Sequence, residues 1–135
     1  MTQTGDIITA LETAAGKVVK KLTLDVVANL QAPPPLGGTP VDTGWARANW
    51  WPNISQPYRA DVGSTGSVAG ALATSESGKT KVAVSYKLSM GPVFASNNVP
   101  YILRLNDGYS KQAPTGFVQR AIAKAVTIDM AGFRP

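Results

Sequence analysis

Residues 40–51 read PVDTGWARANWW, and this stretch opens the main body of the predicted fold. Asp42 or Thr43 can cap a short helix, because a side-chain oxygen just before a helix accepts hydrogen bonds from its first turn. Residues 49–56 then alternate weakly and predict a strand, which Pro52 places at a sheet edge. The stretch holds all three tryptophans of the chain, which are large apolar anchors typical of a core or of a subunit contact.

An amphipathic helix is predicted before this stretch, over residues 6–30. Apolar residues recur there at steps of three or four, whereas the charged residues fall elsewhere. The segment 32–40 is rich in proline and glycine and ends the helix, because proline cannot continue the helical hydrogen bonds. We therefore expect an N-terminal helix within residues 1–31, followed by a semi-rigid spacer over 32–40.

Residues 57–80 follow the predicted edge strand and are rich in glycine, serine, alanine and threonine. Their composition predicts a long loop, which we expect to be mobile in the free protein and ordered on assembly. Residues 81–88 place Val82, Val84, Tyr86 and Leu88 at every second position, and this alternation predicts a strand. Gly91 and Pro92 predict a turn, after which residues 93–95 can start an antiparallel partner.

The C-terminal part of the chain predicts two more helical elements. Residues 101–105 form a short helical turn that Asn106-Asp107-Gly108 closes, and Pro114-Thr115-Gly116 opens the last helix. The whole order predicts one α+β domain over residues 1–135, whose body spans 41–135. In it, a long N-terminal helix, short helices and a C-terminal helix accompany a small antiparallel sheet, with the C-terminal helix packed on the sheet.

The composition argues against an enzyme. The 135 residues contain no cysteine and no histidine, so disulfides, thiolate nucleophiles and the commonest general base and metal ligand are missing. We expect no cofactor and no metal. The N-terminus has no signal-peptide pattern and no stretch is apolar enough to span a membrane, so we expect a protein made in the cytoplasm without a membrane partner.

Two features of the sequence could indicate ligand binding or catalysis, but neither is complete. Residues 73–80 read ATSESGKT and match a relaxed phosphate-binding loop, but no buried strand precedes them and no helix pattern follows. The eight acidic residues form no close pair of the kind that glycosidases use. The net charge of +5, with Lys17, Lys20 and Lys21 on one helix face, is typical of a solvated surface, of sequence-independent contact with DNA or of contact with an acidic partner surface.

Two phrases of the sequence, taken together, resemble a known family. The first is PVDTGWARANW from residue 40, and the second is VPYILRLNDG from residue 99, followed by QAPTGFV from residue 112. In this order they resemble the neck or tail-completion proteins of phages with long non-contractile tails. The resemblance covers roughly residues 40–126. Trp45 stands where a leucine-like residue is common in that family, and Asp107 stands where many members have glutamate.

The resemblance implies a structural virion protein that completes the head-proximal end of the tail and helps to join tail to head. It implies assembly as a ring, which is expected to be six-fold to match a tail tube. The implied partners are the tail tube or tail terminator and the head-connector proteins. The resemblance leaves open whether the ring contacts the DNA in its channel. The alternative is a small monomeric adaptor or inhibitor encoded by a phage. The structural or interface candidates are Asp42, Thr43, Gly44, Trp45, Arg47, Trp50, Tyr101, Arg104, Gly108, Pro114, Phe117 and Arg120. Among them, Arg47, Arg104 and Arg120 are candidate interface charges or ordinary surface cations.

Overall fold

The computed structural model describes residues 3–40, 45–58, 68–108 and 115–131 and shows an α+β fold, as the sequence predicts. Helices dominate the described ranges, and two short strands pair as one antiparallel sheet. The α-helices and strands are α1 (Gln3–Gln31), α2 (Trp45–Ala48), β1 (Trp51–Ile54), α3 (Val68–Ser85), β2 (Val93–Ser96), α4 (Ile102–Asn106) and α5 (Phe117–Ala131). Single 3-10 turns lie at Pro34–Leu36 and Leu88–Met90.

The long N-terminal helix is confirmed, and the segment after it folds back onto the helix end. Gly37 adopts the left-handed conformation, with φ 91°, which closes the 3-10 turn. Gly38 then passes so close to the backbone of Ala32 that a β-carbon would clash there. The Thr39 N–H donates to the carbonyl of Leu30 at 2.9 Å. The expected spacer is therefore a compact cap on the C-terminus of α1.

The predicted strand after the tryptophans is also confirmed, as β1. Its antiparallel partner is β2, with Trp51 opposite Ser96 and Ile54 opposite Val93. The Ser55 N–H extends the pairing by donating to the carbonyl of Pro92 at 2.7 Å. A two-stranded sheet has only edge strands, which is why a proline inside β1 is tolerated.

The expectations for residues 68–88 are wrong, because most of this segment is the helix α3. Its inward side faces β1 and repeats at helical steps through the buried Ala71, Ser75 and Val82 and the half-buried Gly78. The alanine, serine and glycine are small enough to allow close approach to the strand: a β-carbon on Gly78 would lie 2.6 Å from the carbonyl oxygen of Pro52. The segment 68–80 is thus no loop, and the predicted loop residues 59–67 lie outside the described part of the chain.

The predicted strand over residues 81–88 fails for the same reason. On a strand, Val82 and Val84 would share one face, but Val82 is fully buried while 76% of Val84 is exposed. Val82 and Tyr86, four residues apart, are both buried, as the helical period requires. Val82 and Tyr86 lie on the buried face of α3, and the exposed Val84 between them produces the alternation that is typical of a strand.

The closing helix α5 packs mainly along α1, and α3 takes the position on the sheet that the sequence analysis gave to α5. The Asn29 side chain donates to the carbonyl of Ala121 at 3.1 Å, and Lys21 lies at Asp129. These contacts make the two helices antiparallel. A stripe that includes Ala121 and Ala125 allows the close packing, because alanine keeps the two helix axes near each other.

Candidate functional site

Trp50, from the first sequence phrase, is held by a buried hydrogen-bond network. Its indole Nε1–H donates to Thr39 Oγ1 at 2.8 Å, and the Thr39 hydroxyl donates to the carbonyl of Leu30 at 2.7 Å. Ser75 Oγ donates to the backbone carbonyl of Trp50 at 2.7 Å and accepts from the Gln31 amide at 3.1 Å. We call this set the Thr39–Trp50–Ser75 network.

This network ties the C-terminus of α1 to the start of β1 and to the middle of α3. Thr39 and Ser75 are fully buried, so each hydroxyl would destabilise the fold if it lacked partners. Both hydroxyls donate and accept, which removes that cost. Neither residue was a sequence candidate. A helical reading of Ala71, Ser75 and Gly78 would have placed Ser75 on an inward face.

The second phrase builds the junction between α4 and α5 around Asn106. Its Oδ1 accepts from the Val118 N–H at 3.0 Å, and its backbone carbonyl accepts from the Gly116 N–H at 2.7 Å. Its amide also donates to Gln119 Oε1 at 3.0 Å. Asn106 thus caps the first turn of α5 from the preceding helix. The sequence predicts the turn at residues 106–108, but it does not predict that Asn106 caps α5.

Gly108 completes that junction. It has φ 93°, a left-handed conformation that favours glycine, and a β-carbon there would strike the Thr115 hydroxyl. The sequence candidate Gly108 therefore has a clear backbone role at the entry to α5.

The structure brings the two phrases together in the core. Trp50 and Phe117 belong to one buried cluster with Val27, Leu30 and Ala121. Two residues of α4, Ile102 and Leu105, pack against this cluster and also against a second one that includes Trp51 and Val99. The aromatic candidates Trp50 and Phe117 are therefore core residues of this chain.

The remaining candidates lie nearer the surface or outside the described residues. Trp45 and Arg47 on α2 are half-buried, and Trp45 packs against the second cluster. Tyr101, Arg104 and Arg120 are exposed, and Arg120 donates to the carbonyl of Thr115 at 2.6 Å. Asp42, Thr43, Gly44 and Pro114 lie outside the described residues.

A cluster of charges joins α1 to α5. Lys21 Nζ lies 2.7 Å from Asp25 Oδ2 and 3.0 Å from Asp129 Oδ1. The contact with the buried Asp129 is an ion pair, since neither of its carboxylate oxygens meets hydrogen-bond geometry.

This cluster shifts two pKa values. The hydrogen bond to Asp25, with the contact to Asp129, raises the pKa of Lys21 above 10.5. Partial burial raises the pKa of Asp25, but the hydrogen bond and the positive charge of Lys21 act against it, and that pKa lies below 3.8. At neutral pH Lys21 and Asp25 are therefore charged, and the contact of Lys21 with Asp129 joins α1 to α5.

The cations of α1 do not share one surface as the sequence suggested. Lys21 turns to α5, whereas Lys17 and Lys20 line an open groove between α1 and the end of α3. Lys87 and Glu12 line the same groove. Its cationic side suits electrostatic contact with an anion.

Two exposed apolar surfaces stand out on the helices. The first is residues 6–13 of α1, all exposed, which include Ile7 and Leu11 at 61% and 50% exposure. We call these residues the arm. The second is Ile122, Val126 and Met130, which recur every fourth residue on α5 and are each more than two-fifths exposed. We call these three residues the α5 stripe. Apolar surfaces of this kind favour contact with another protein surface.

The phosphate-loop pattern at residues 73–80 lies inside α3. Backbone N–H groups in a helix interior are bonded within the helix, so this segment cannot cradle a phosphate. Within the described ranges, no three acidic residues are placed to hold a metal ion. None of the described helices is long and apolar enough to cross a membrane.

Comparisons with protein-family models, curated proteins and solved structures find no match to this chain.

Proposed function

We propose that this chain is a structural protein of a phage neck, which completes the head-proximal end of a long non-contractile tail and helps to join it to the head. The proposal begins from the resemblance of the two sequence phrases to that family. The observation that carries it further is that Trp50 and Phe117, one from each phrase, pack in one core cluster. The phrases therefore act as parts of one architecture, which is what the resemblance requires.

The described surface favours assembly over catalysis. The arm and the α5 stripe expose apolar side chains on two helices, whereas the charged residues at the α1–α5 contact are bound in ion pairs. In this proposal the chain forms a ring, six-fold where it meets the tail tube. Its neighbours are the tail tube or tail terminator and the head connectors. Lys17, Lys20 and Lys87 are cations suited to sequence-independent contact with DNA.

Electron microscopy of a lysate from the parent phage with this gene deleted tests the proposal. We expect full heads beside unattached tails, or tails of uncontrolled length, and the defect should disappear when the wild-type gene is supplied from a plasmid. A plasmid with a stop codon early in the same gene is the matched control. Normal joined virions from the deleted phage would refute the neck role and favour a monomeric adaptor or inhibitor.

A further inference from the structure

The groove between α1 and the end of α3 carries positive charge that the described part of the chain does not neutralise. Lys17 and Lys20 line it from α1, and Lys87 lines it from the turn after α3. The described ion pairs are those of Lys21 and Lys79, so none of the three groove lysines takes part in one. Lys17 and Lys20 are neighbours of like charge on one helix face, and their repulsion opposes folding. A bound anion relieves this repulsion.

The groove has the size and shape to hold a short stretch of extended peptide. Its volume is about 390 Å³, within the range of ligand sites in proteins, and the buried residues Gly16 and Tyr86 lie at its bottom. From Thr9 to Lys20 the helix rises about 16 Å, which is the length of about five residues of an extended chain.

The groove lysines are spaced for two acidic side chains of such a peptide. In an extended strand, alternate side chains lie on one face at a spacing of about 6.6 Å. Lys17 and Lys20 are about 4.5 Å apart along the helix axis, and the long, flexible lysine side chains span the difference. Lys87 adds a third ammonium group from the other element of the groove. The groove therefore matches two acidic residues that are separated by one residue.

Duplex DNA, the other anion that these lysines suit, matches the groove less well. Over about 16 Å it carries roughly ten charges, because one falls every ~1.7 Å of its axis. The described groove offers three lysines, and the carboxylate of Glu12 lines it as well and takes part in none of the described ion pairs. A peptide can place an uncharged residue beside Glu12, whereas a phosphate backbone is charged throughout its length.

The sequence of this chain excludes a second copy as the source of the acidic pattern. The chain has eight acidic residues, and no two of them are separated by a single residue. We propose that the groove binds an extended acidic segment of a partner protein, with carboxylates of that segment at Lys17, Lys20 and Lys87. This site goes beyond the proposed function and does not depend on it; in a phage neck, the segment would belong to one of the neighbouring proteins.

Fluorescence anisotropy with a labelled peptide tests the site. The probe is AEAEA flanked by glycines, and AQAQA with the same flanks is its uncharged counterpart. Lys17→Gln, Lys20→Gln and Lys87→Gln each remove one groove cation and keep a long polar side chain. Lys124→Gln, at an exposed lysine of α5 outside the groove, is the matched control for net charge. Circular dichroism checks that each variant keeps its helix content.

The expected results are specific to the groove. At low ionic strength, where charges are least screened, the wild type should bind AEAEA and not AQAQA. Each groove variant should bind about 2–5-fold more weakly, as for the loss of an exposed ion pair, and the triple variant about tenfold or more. Lys124→Gln should bind as the wild type does. Glu12→Gln should bind more tightly, because it removes the acidic side chain among the described residues that line the groove.

Equal binding of AEAEA and AQAQA by the wild type would overturn the inference. An equal loss with Lys124→Gln and with the groove variants would also overturn it, because binding would then follow net charge alone. A DNA duplex, tested on the same variants, should lose no more affinity with the groove variants than with Lys124→Gln. If duplex binding depends on the groove lysines more strongly than peptide binding does, DNA is the occupant and the peptide is not. The phage deletion tests the neck role separately from all of these results.

Discussion

The indole N–H of Trp50 and the hydroxyl of Thr39 form a buried hydrogen bond of 2.8 Å, in which Thr39 belongs to the cap on α1 and Trp50 immediately precedes β1. The Thr39 hydroxyl in turn donates a hydrogen bond to the carbonyl of Leu30. A helix end and a strand are thus joined through one threonine.

Thr39→Val should destabilise the fold by about 1–3 kcal/mol, because it leaves the Trp50 N–H buried without a partner. Thr39→Val combined with Trp50→Phe should cost less than the sum of the two single changes, since the orphaned donor is then removed. Urea unfolding of the four proteins measures this. Thr13→Val, on the exposed arm, is the control, and strict additivity in the double variant would refute the coupling.

Two glycines inside helices should respond to alanine with opposite sign. At Gly78 a β-carbon would lie 2.6 Å from the carbonyl oxygen of Pro52, so Gly78→Ala should cost about 1–3 kcal/mol despite the better helix propensity of alanine. At Gly16 the nearest atom lies at an ordinary 3.7 Å, and Gly16→Ala should stabilise by about 0.5–1 kcal/mol. Thermal unfolding compares the two. Equal shifts would contradict the close packing of α3 on β1.

Asn106 should contribute to stability mainly through its side-chain oxygen. Asn106→Ala removes the acceptor for the Val118 N–H and should cost about 1 kcal/mol. Asn106→Asp keeps an acceptor and adds a negative charge at the N-terminus of α5, so it should cost less. Chemical denaturation ranks the two variants, and an aspartate variant as unstable as the alanine variant would argue against capping.

The lowered pKa of Asp25 predicts that the free energy of unfolding decreases at acidic pH. The pKa of Asp25 is lower in the folded chain than its ordinary 3.8, so its contribution is present above that value. It is lost as the pH falls through the lowered pKa. Asp25→Asn should therefore flatten the loss of stability below about pH 4. Urea midpoints from pH 2 to 6 test this, with Glu12→Gln as the exposed control.

At the alkaline end, the raised pKa of Lys21 implies a contribution that is complete below 10.5 and lost as the pH rises through the raised value. Lys21→Met should abolish the loss of stability that the wild-type protein shows as the pH rises above 10.5. A wild-type profile that is already flat above pH 10 would contradict the role of the cluster.

The sequence predicted those elements whose signals are local. The helix α1 followed from apolar residues at helical steps, and β1 followed from the weak alternation over residues 49–56. The helix α3 was missed because its inward face is made of Ala71, Ser75 and Gly78, whose types are also typical of loops. Their helical spacing predicts a helix only if alanine, serine and glycine are treated as residues that can form a buried face.

Two features could not be predicted from local sequence signals. They are the pairing of β1 with β2 and the Thr39–Trp50–Ser75 network. Both depend on contacts between residues distant in sequence, for which no single stretch carries a signal. The aromatic candidates Trp50 and Phe117 were recognised by type, but their common cluster emerged only from the packing of α1 and α5.

The uneven burial of α1 has a consequence for how quickly its amide hydrogens exchange with solvent. Residues 6–13 are all exposed, and a helical segment of that length is marginal in water. Their amides should exchange through local fraying, whereas those near Val27 and Leu30 should wait for global unfolding. The N-terminal segment of α1 therefore unfolds locally at a small cost in free energy. Any surface that binds this segment must also supply the free energy that keeps it helical.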